Sequence, residues 1–218
     1  MYLTIQGIVL RVTDYNDKDA LLTMLTRRHG RLTVKARGLR RKNSPLIAPC
    51  QLLAYGEFTL FEYRGQYTIN EAQSIELFTP LRRDLTKLSL GTYFAQVSEV
   101  LSQEDMPNPE LQSLLLNCLY ALSRLDLPES QVKAVFELRA ACLSGYTPDL
   151  TGCHVCGSQT PERFDLSAGM LECRNCRSPE SNGGRHPCWK PCVTSAIATA
   201  KSCFPFRRGR IPYSSFPR

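Results

Sequence analysis

Two cysteine pairs near the C-terminal end of the chain constrain the fold more than any other feature. Cys153 and Cys156 form one CxxC pair, Cys173 and Cys176 form the second, and sixteen residues separate the two pairs. Each CxxC knuckle turns two thiolates toward one point, and a return of this length completes a tetrahedron of sulfurs, which suits Zn²⁺. Gly157 follows the first pair, as a tight knuckle requires. The spacing therefore predicts a structural zinc site.

Other uses of these cysteines fit the pattern less well. A redox CxxC would lie near a βαβ unit, and no such pattern is visible. An iron–sulfur cluster is less usual with this layout. His154 is a possible alternative ligand, but because it is adjacent to Cys153 we expect it to be exposed. A four-thiolate site has no open position for water, so this zinc would stabilise the fold without catalysing a reaction.

The other cysteines and the hydropathy pattern indicate a reducing compartment. Seven of the ten cysteines lie after residue 150, while Cys50, Cys118 and Cys142 stand alone among apolar residues. Thiols that bind metals or lie buried are typical of the cytoplasm. No apolar run approaches the roughly 20 residues that span a bilayer, and MYLTIQGIVLRV predicts a strand instead of a signal peptide. We therefore expect a cytoplasmic protein.

The first 80 residues have the pattern of a small β-barrel. They are rich in β-branched and aromatic residues, and turn signals separate five short runs. The predicted strands are YLTIQGIVLRV, DALLTMLTR, RLTVKAR, GEFTLFEYR and YTINEAQSIELF. Five short strands with this spacing predict a closed sheet, as in an OB-fold nucleic-acid-binding domain at residues 1–80.

Helical periodicity replaces the strand pattern after this region. Apolar residues recur three and four positions apart in three segments: Leu85, Leu88, Phe94, Val97 and Leu101; Leu111, Leu114, Leu115, Cys118, Leu119 and Leu122; Val132, Val135, Phe136, Leu143 and Tyr146. Such stripes predict a helical bundle core, with Pro148 ending the third helix. The chain is thus predicted to be a multidomain α+β protein with a helical bundle at 81–150, a zinc module at 151–180 and an atypical tail at 181–218.

A basic segment crosses the second and third predicted strands. Between residues 27 and 42 there are eight Lys or Arg residues and no Asp or Glu: Arg27, Arg28, Arg31, Lys35, Arg37, Arg40, Arg41 and Lys42. A charge run is often a solvated edge, and that interpretation stays open. The net charge of +7 and the position on an OB-fold hairpin favour a phosphate-binding face. Aromatic residues in the barrel region offer surfaces on which bases can stack, although most are expected in the core: Tyr55, Phe58, Phe61, Tyr63 and Tyr67.

Sequence motifs for catalysis are absent. The chain contains no GxxxxGK[ST], GxSxG or HExxH motif. Asp14, Asp17 and Asp19 lie together near a turn, and they are the candidate ligands if the chain is a metal-dependent nuclease. A polar turn is the simpler interpretation, and we expect no catalytic residues.

The order of these parts resembles that of the RecO recombination mediator family of bacteria. The resemblance rests on GIVLRVTDYNDKDALLTMLTRRHGRLTVKARGLRR at the start, the helical region, and GCHVCG followed by LECRNC; it covers residues 1 to about 180. It implies a DNA repair protein that is not an enzyme. Members bind single-stranded and double-stranded DNA, anneal complementary strands and bind the acidic tail of single-stranded DNA-binding protein. With RecR they help to load RecA on coated DNA, in the cytoplasm at the nucleoid.

The resemblance assigns two sets of residues. The eight cations of the basic segment are the DNA-facing candidates, and Cys153, Cys156, Cys173 and Cys176 are the zinc ligands. An RNA-binding or translation-associated role remains the alternative, because small barrels and zinc ribbons also bind RNA.

The tail departs from the family pattern after about residue 182. It contains five prolines after Arg185, no acidic residue and no helical stripe. One interpretation is a second binding element with Cys188, Cys192 and Cys203. We favour a frameshift, because reading one base earlier forces Leu-Glu at residues 188–190 and permits family-like sequence after it. A stop codon in that frame near Trp189 would contradict the hypothesis.

Overall fold

The structure is a computed structural model that describes residues 1–165 and 168–176. Contacts divide the chain into two units, Met1–Phe136 and Glu137–Arg218. The predicted tail at 182–218, with its three cysteines and the frameshift hypothesis, lies outside the described residues.

The first unit begins with a closed barrel, which confirms the predicted OB-like fold. Its strands are β1 Tyr2–Asp14, β2 Ala20–Thr26, β3 Gly30–Ala36, β4 Tyr55–Tyr63 and β5 Gln66–Glu76. They close in the order β1-β2-β3-β5-β4. All neighbours pair antiparallel except β3 and β5, which are parallel, with Val34 opposite Tyr67 and Lys35 opposite Thr68.

The barrel core follows from period-two alternation along the strands. Its buried side chains are Ile5, Val9, Ala20, Leu22, Met24, Leu32, Val34, Ala36, Leu39, Leu46, Cys50, Phe58, Leu60 and Ile69. Leu39, Leu46 and Cys50 come from the connection between β3 and β4. This connection is therefore anchored in the core, and its polar residues are held at fixed positions on the surface.

Three α-helices follow the barrel in the described part of the chain: α1 Leu85–Leu101, α2 Pro109–Arg124 and α3 Glu129–Leu143. Asp84 caps α1 by accepting hydrogen bonds from the backbone N–H groups of Thr86 and Lys87. Asn108 caps α2, and Pro109 occupies its first turn. Phe94 of α1 stacks on Phe136 of α3 with ring centroids 4.2 Å apart, so the predicted apolar stripes do form a core.

Two residues of the predicted apolar stripes, Leu85 and Tyr146, are exposed and lie outside the helical core. Leu85 is the first residue of α1 and is 81 % exposed. Tyr146 lies beyond α3 and is 78 % exposed. Helix α3 ends at Leu143, before Tyr146 and before the predicted stop at Pro148. Gly145 takes a left-handed φ of 92°, and its N–H donates to the carbonyl of Cys142, which ends the helix there.

The barrel and the helices meet at the β2–β3 turn. The side-chain amide of Gln112 on α2 donates to the Leu25 carbonyl over 3.1 Å. The backbone N–H of Arg31 donates to the Gln103 carbonyl over 3.0 Å. Gly30 has a φ of +62°, and a Cβ there would lie 2.2 Å from the Met106 carbonyl oxygen. This approach requires glycine, because another side chain would displace the α1–α2 connection.

The second unit contains a small sheet around the cysteines. Its strands are β6 Asp149–Cys153, β7 Arg163–Asp165 and β8 Met170–Glu172, in the order β6-β8-β7. β6 and β8 are parallel, while β7 and β8 are antiparallel. Among the described residues, no helix has the length and apolar character needed to cross a membrane.

Candidate nucleic-acid interface and metal site

Strand β3 places its cations on the outer surface of the barrel. Leu32, Val34 and Ala36 point inward and are buried, while Arg31 and Lys35 are half-buried and alternate with them. The predicted alternation of cations and apolar residues is therefore present in the strand.

The remaining six cations of the basic segment lie at the two ends of this strand. Arg27 and Arg28 form the exposed turn before β3. The other four are exposed in the connection that follows β3: Arg37, Arg40, Arg41 and Lys42. Since each strand residue adds about 3.3 Å, the two groups are roughly 20 Å apart. The segment thus forms two basic clusters joined by a strand.

Three of the eight cations have internal partners in the described part of the chain. Arg31 donates to the Glu99 carbonyl over 3.0 Å and lies 3.6 Å from the Glu104 carboxylate. This contact fixes the barrel against the end of α1. Arg31 therefore serves as a structural contact, and we expect little phosphate binding from it.

Lys35 and Arg40 are held by the turn between β1 and β2. The Lys35 ammonium lies 3.7 Å from Asp19 and 4.3 Å from the centroid of the Tyr15 ring. Arg40 pairs with Asp14. Both pairs are at least partly exposed, so each is weak and open to competition from a phosphate.

The other five cations have no ion-pair partner among residues 1–165 and 168–176: Arg27, Arg28, Arg37, Arg41 and Lys42. All five are exposed. An unpaired, solvated guanidinium or ammonium binds a phosphate without first breaking an internal contact. We call these five residues the free cations.

A groove of about 670 Å³ is lined by two of the free cations, Arg37 and Arg41. It is bounded by the β3–β4 connection and by β5, and its lining residues are Arg37, Gly38, Arg41, Asn43, Ser44, Pro45, Leu46, Ile69, Asn70, Glu71 and Ala72. The groove combines two free cations, Arg37 and Arg41, with amide and hydroxyl groups, and Glu71 lies on its β5 side. Its β3–β4 side therefore suits a polyanionic chain that also offers hydrogen-bonding groups.

The acidic residues near the β1–β2 turn have structural roles. Asp19 accepts a hydrogen bond from the Gly38 N–H over 2.9 Å, and this bond lowers the pKa of Asp19 below its usual value. Asp14 holds Arg40. With Asp17, these residues do not form a potential metal-binding group in the part of the chain that the structure describes. The nuclease hypothesis therefore gains no support from their arrangement.

The aromatic side chains of the barrel divide into buried and exposed sets. Tyr55 and Phe58 are buried, and Tyr67 packs against the core. Phe61 is 40 % exposed and Tyr63 is 59 % exposed. Exposed Tyr2 and Tyr15 were not among the sequence candidates. Their positions at the end of a strand and in a turn gave no periodic signal.

The four predicted zinc ligands converge on one point. The sulfurs of Cys153, Cys156, Cys173 and Cys176 all lie within 4.8 Å of one another. Cys156 Sγ and Cys173 Sγ are 3.6 Å apart. This separation is too long for a disulfide and close to the roughly 3.8 Å expected for two thiolates on one tetrahedral zinc. The geometry therefore fits a four-thiolate metal ion.

Local hydrogen bonds prepare this cluster for a cation. The pKa of Cys153 is lowered to about 6, mainly because the backbone N–H of Cys156 donates a hydrogen bond to its sulfur. The backbone N–H of Cys173 also donates to Cys153 Sγ, over 3.3 Å. Hydrogen bonds with the sulfurs of Cys173 and Cys156 raise the pKa of Cys176 to about 12. Deprotonation is therefore easiest at Cys153 and hardest at Cys176. A bound divalent ion would favour the thiolate form of all four cysteines.

His154 and Gly157 lie beside the four-sulfur cluster and are not part of it. His154 Nε2 lies 3.4 Å from a Glu172 carboxylate oxygen, and the ring is about one third exposed. Gly157 has a left-handed φ of 72°, and its N–H donates to the Cys153 carbonyl over 2.8 Å. The predicted turn glycine is therefore confirmed, and His154 is oriented by Glu172.

Comparisons with known proteins agree with this arrangement. The family models described as "Recombination protein O N terminal" and "Recombination protein O C terminal" match residues 1–78 and 82–187. A DNA repair protein RecO from Acetivibrio thermocellus is 36 % identical over 172 residues, which are 79 % of this chain and 68 % of the relative. Another from Alkaliphilus metalliredigens is 33 % identical over 183 residues, 83 % of this chain and 74 % of the relative. The barrel, the helices and the cysteine module are matched together, and the chain belongs to the RecO family of DNA repair proteins.

Proposed function

We propose that this protein is a DNA-binding recombination mediator without catalytic activity. It binds single-stranded and double-stranded DNA and anneals complementary single strands. Together with RecR it helps to load RecA on DNA coated by single-stranded DNA-binding protein, whose acidic tail it also binds. It acts in the bacterial cytoplasm, at the nucleoid. Strand annealing, RecA loading and the protein partners are inferred from the family resemblance, while the five free cations support DNA binding.

The five free cations are the observation that carries the proposal. They lie at the two ends of β3, in a turn and in a connection that is anchored in the barrel core. A DNA backbone that runs along the strand can therefore contact cations at each end. Since contacts of this kind go to phosphates, they hold DNA without regard to its sequence.

Annealing follows from neutralisation of charge. Two complementary strands repel each other through their phosphates, and cations that contact both backbones lower this repulsion. Released counterions favour binding at low salt and make it weaker as salt rises. No side chain has to transfer a proton or form a covalent bond, which agrees with the absence of catalytic motifs in the sequence.

We assign Zn²⁺ as the metal of the cysteine cluster, with a structural role. Four thiolates in tetrahedral arrangement suit zinc and leave no position for a substrate or water. The residues that would hold it are Cys153, Cys156, Cys173 and Cys176. Each knuckle also joins one end of a strand of the small sheet, so the metal would stabilise the second unit.

Annealing of complementary labelled strands, followed by fluorescence, tests the proposal. The variant is Arg41→Gln/Lys42→Gln, which removes two free cations and leaves shorter, uncharged polar side chains. The matched control is Arg83→Gln/Lys133→Gln, which removes two exposed cations from the helical region. We expect the first variant to anneal at least tenfold more slowly, and the control to resemble the wild type.

Equal rates for both variants would contradict the assignment of the basic segment. Competition between single-stranded DNA and RNA of equal length separates the proposal from an RNA-binding role. Stronger displacement by RNA would favour that alternative. Cleavage of labelled DNA in the presence of Mg²⁺ would contradict the non-catalytic part of the proposal.

A further inference from the structure

Three exposed aromatic side chains lie together on the outer face of the barrel. Tyr2 on β1 is 64 % exposed, and it is paired in register with Phe61 on β4. Their ring centroids are 5.4 Å apart with planes tilted by 55°. Tyr63 follows Phe61 by two residues, so it points to the same side about 6.8 Å further along the strand. We call Tyr2, Phe61 and Tyr63 the aromatic platform.

The strand register links this platform to the basic segment. Phe61 is opposite Thr68 of β5, and Thr68 is opposite Lys35 of β3. Neighbouring strands are about 4.8 Å apart, so Phe61 and Lys35 are separated by roughly 10 Å across the sheet. Arg64 lies over the Tyr63 ring, 5.2 Å from its centroid, at the other end of the platform. Cations therefore flank the aromatic rings on two sides.

Acidic residues bound the platform on the opposite side. The next outward-facing row along the sheet contains Thr4 and Thr59, with Glu71 opposite Thr59. Beyond it lies Glu57, which accepts a hydrogen bond from Gln6 over 3.5 Å. A polyanion is repelled by these carboxylates and attracted to Lys35 and Arg64. The charge pattern thus directs a nucleic-acid chain along the row that contains the platform.

We propose that the aromatic platform is a base-stacking site for single-stranded DNA. Rings at this spacing can each receive one unstacked base, while the flanking cations bind the phosphates. Duplex DNA offers its phosphates but keeps its bases stacked inside. The platform therefore gives the protein a preference for single strands that the free cations alone do not provide. The inference rests on the proposed DNA-binding function and assigns a distinct site within it.

Binding of two oligonucleotides of equal length, measured by fluorescence anisotropy, tests the inference. One is oligothymidylate and the other is abasic, so the two differ in bases and share the phosphates. The variant is Phe61→Thr/Tyr63→Thr, since threonine is compatible with exposed strand positions. The control is Tyr120→Thr, an exposed tyrosine on α2. Circular dichroism checks that both variants keep their fold.

We expect the wild type and the control to bind oligothymidylate about tenfold or more tightly than the abasic strand. The platform variant should lose this preference and keep the wild-type affinity for the abasic strand. Equal binding of both oligonucleotides by the wild type would overturn the inference and leave cation-based DNA binding intact. An unchanged preference in the folded variant would also overturn it and would leave the platform to a protein partner. Failure of the wild type to bind either strand would refute the proposed function itself.

Discussion

Replacement of Gly30 by alanine tests how the barrel is joined to the helices. Gly30 begins β3 with a φ of +62°, and its added Cβ would lie 2.2 Å from the Met106 carbonyl oxygen and 2.6 Å from that of Gln103. Gly65 offers a matched comparison, because its φ is +74° and nothing lies within 4 Å of an added Cβ. Both substitutions carry the strain of a left-handed residue, and the Gly30 substitution also carries a clash.

The structure gives the size of the expected difference. The left-handed conformation costs an alanine about 1–2 kcal/mol at either position. At position 30 the α1–α2 connection must also move by more than about 1 Å to restore normal contact, which adds about 1–3 kcal/mol. Movement breaks the 3.0 Å hydrogen bond from the Arg31 N–H to Gln103, worth about 1 kcal/mol. Gly30→Ala should therefore cost about 3–6 kcal/mol, against about 1–2 kcal/mol for Gly65→Ala.

Urea unfolding followed by circular dichroism measures both values. With a slope near 2 kcal/mol per molar, a difference of about 3 kcal/mol lowers the midpoint of the Gly30 variant by about 1.5 M relative to the Gly65 variant. Equal midpoints for the two variants would refute the reasoning, because the close approach of the α1–α2 connection is the only term that differs between them.

Three further results are expected. Cys173→Ser should lower the zinc content of the purified chain from one ion to none by mass spectrometry, since three thiolates remain. Burial raises the pKa of Cys50 and of Cys118 to about 12 from the ordinary 9.0. Between pH 9 and about 12 the unfolded chain binds fewer protons than the folded chain, so the free energy of unfolding should fall as pH rises. The fall should be less steep in Cys118→Ala, which removes one of the two thiols. Asp14→Asn should release Arg40 and steepen the salt dependence of single-strand binding by about 0.7.

Each of these results has a clear contrary outcome. Full zinc content in the serine variant would show that the metal lies elsewhere. A stability that stays constant from pH 9 to 11 would contradict the burial of the two thiols in the native state. An unchanged salt dependence in Asp14→Asn would show that this carboxylate does not compete with phosphates for Arg40.

Local sequence patterns were sufficient to predict the strands of the barrel and the metal-binding cysteines. The five strands alternate apolar and polar residues, and Gly30 and Gly65 mark turns between them, so sequence and structure agree on the barrel. The CxxC spacing likewise determined which sulfurs meet, because two knuckles separated by one short sheet have few ways to close. Each of these signals spans only a few residues, so it can be recognised without knowledge of the tertiary structure.

The sequence could not show which cations of the basic segment have an internal partner and which are free. Arg31 and Arg41 look alike in a charge run, yet Arg31 contacts Glu99 and Glu104, which are about seventy residues away in the chain. This pairing forms because the C-terminal end of α1 packs beside β3, and that tertiary contact leaves no local signal in the sequence. The aromatic platform was missed in part for the same reason, since Tyr2 joins Phe61 only through the register of β1 and β4.

The salt dependence of single-strand binding tests the central claim most directly. The slope of log affinity against log salt counts the phosphates that the protein neutralises, at about 0.7 for each contact on single strands. We predict that Arg37→Gln/Arg41→Gln/Lys42→Gln lowers the magnitude of this slope by about 2, while Arg31→Gln leaves it unchanged. A triple variant with the wild-type slope would contradict the claim that the free cations hold the DNA backbone.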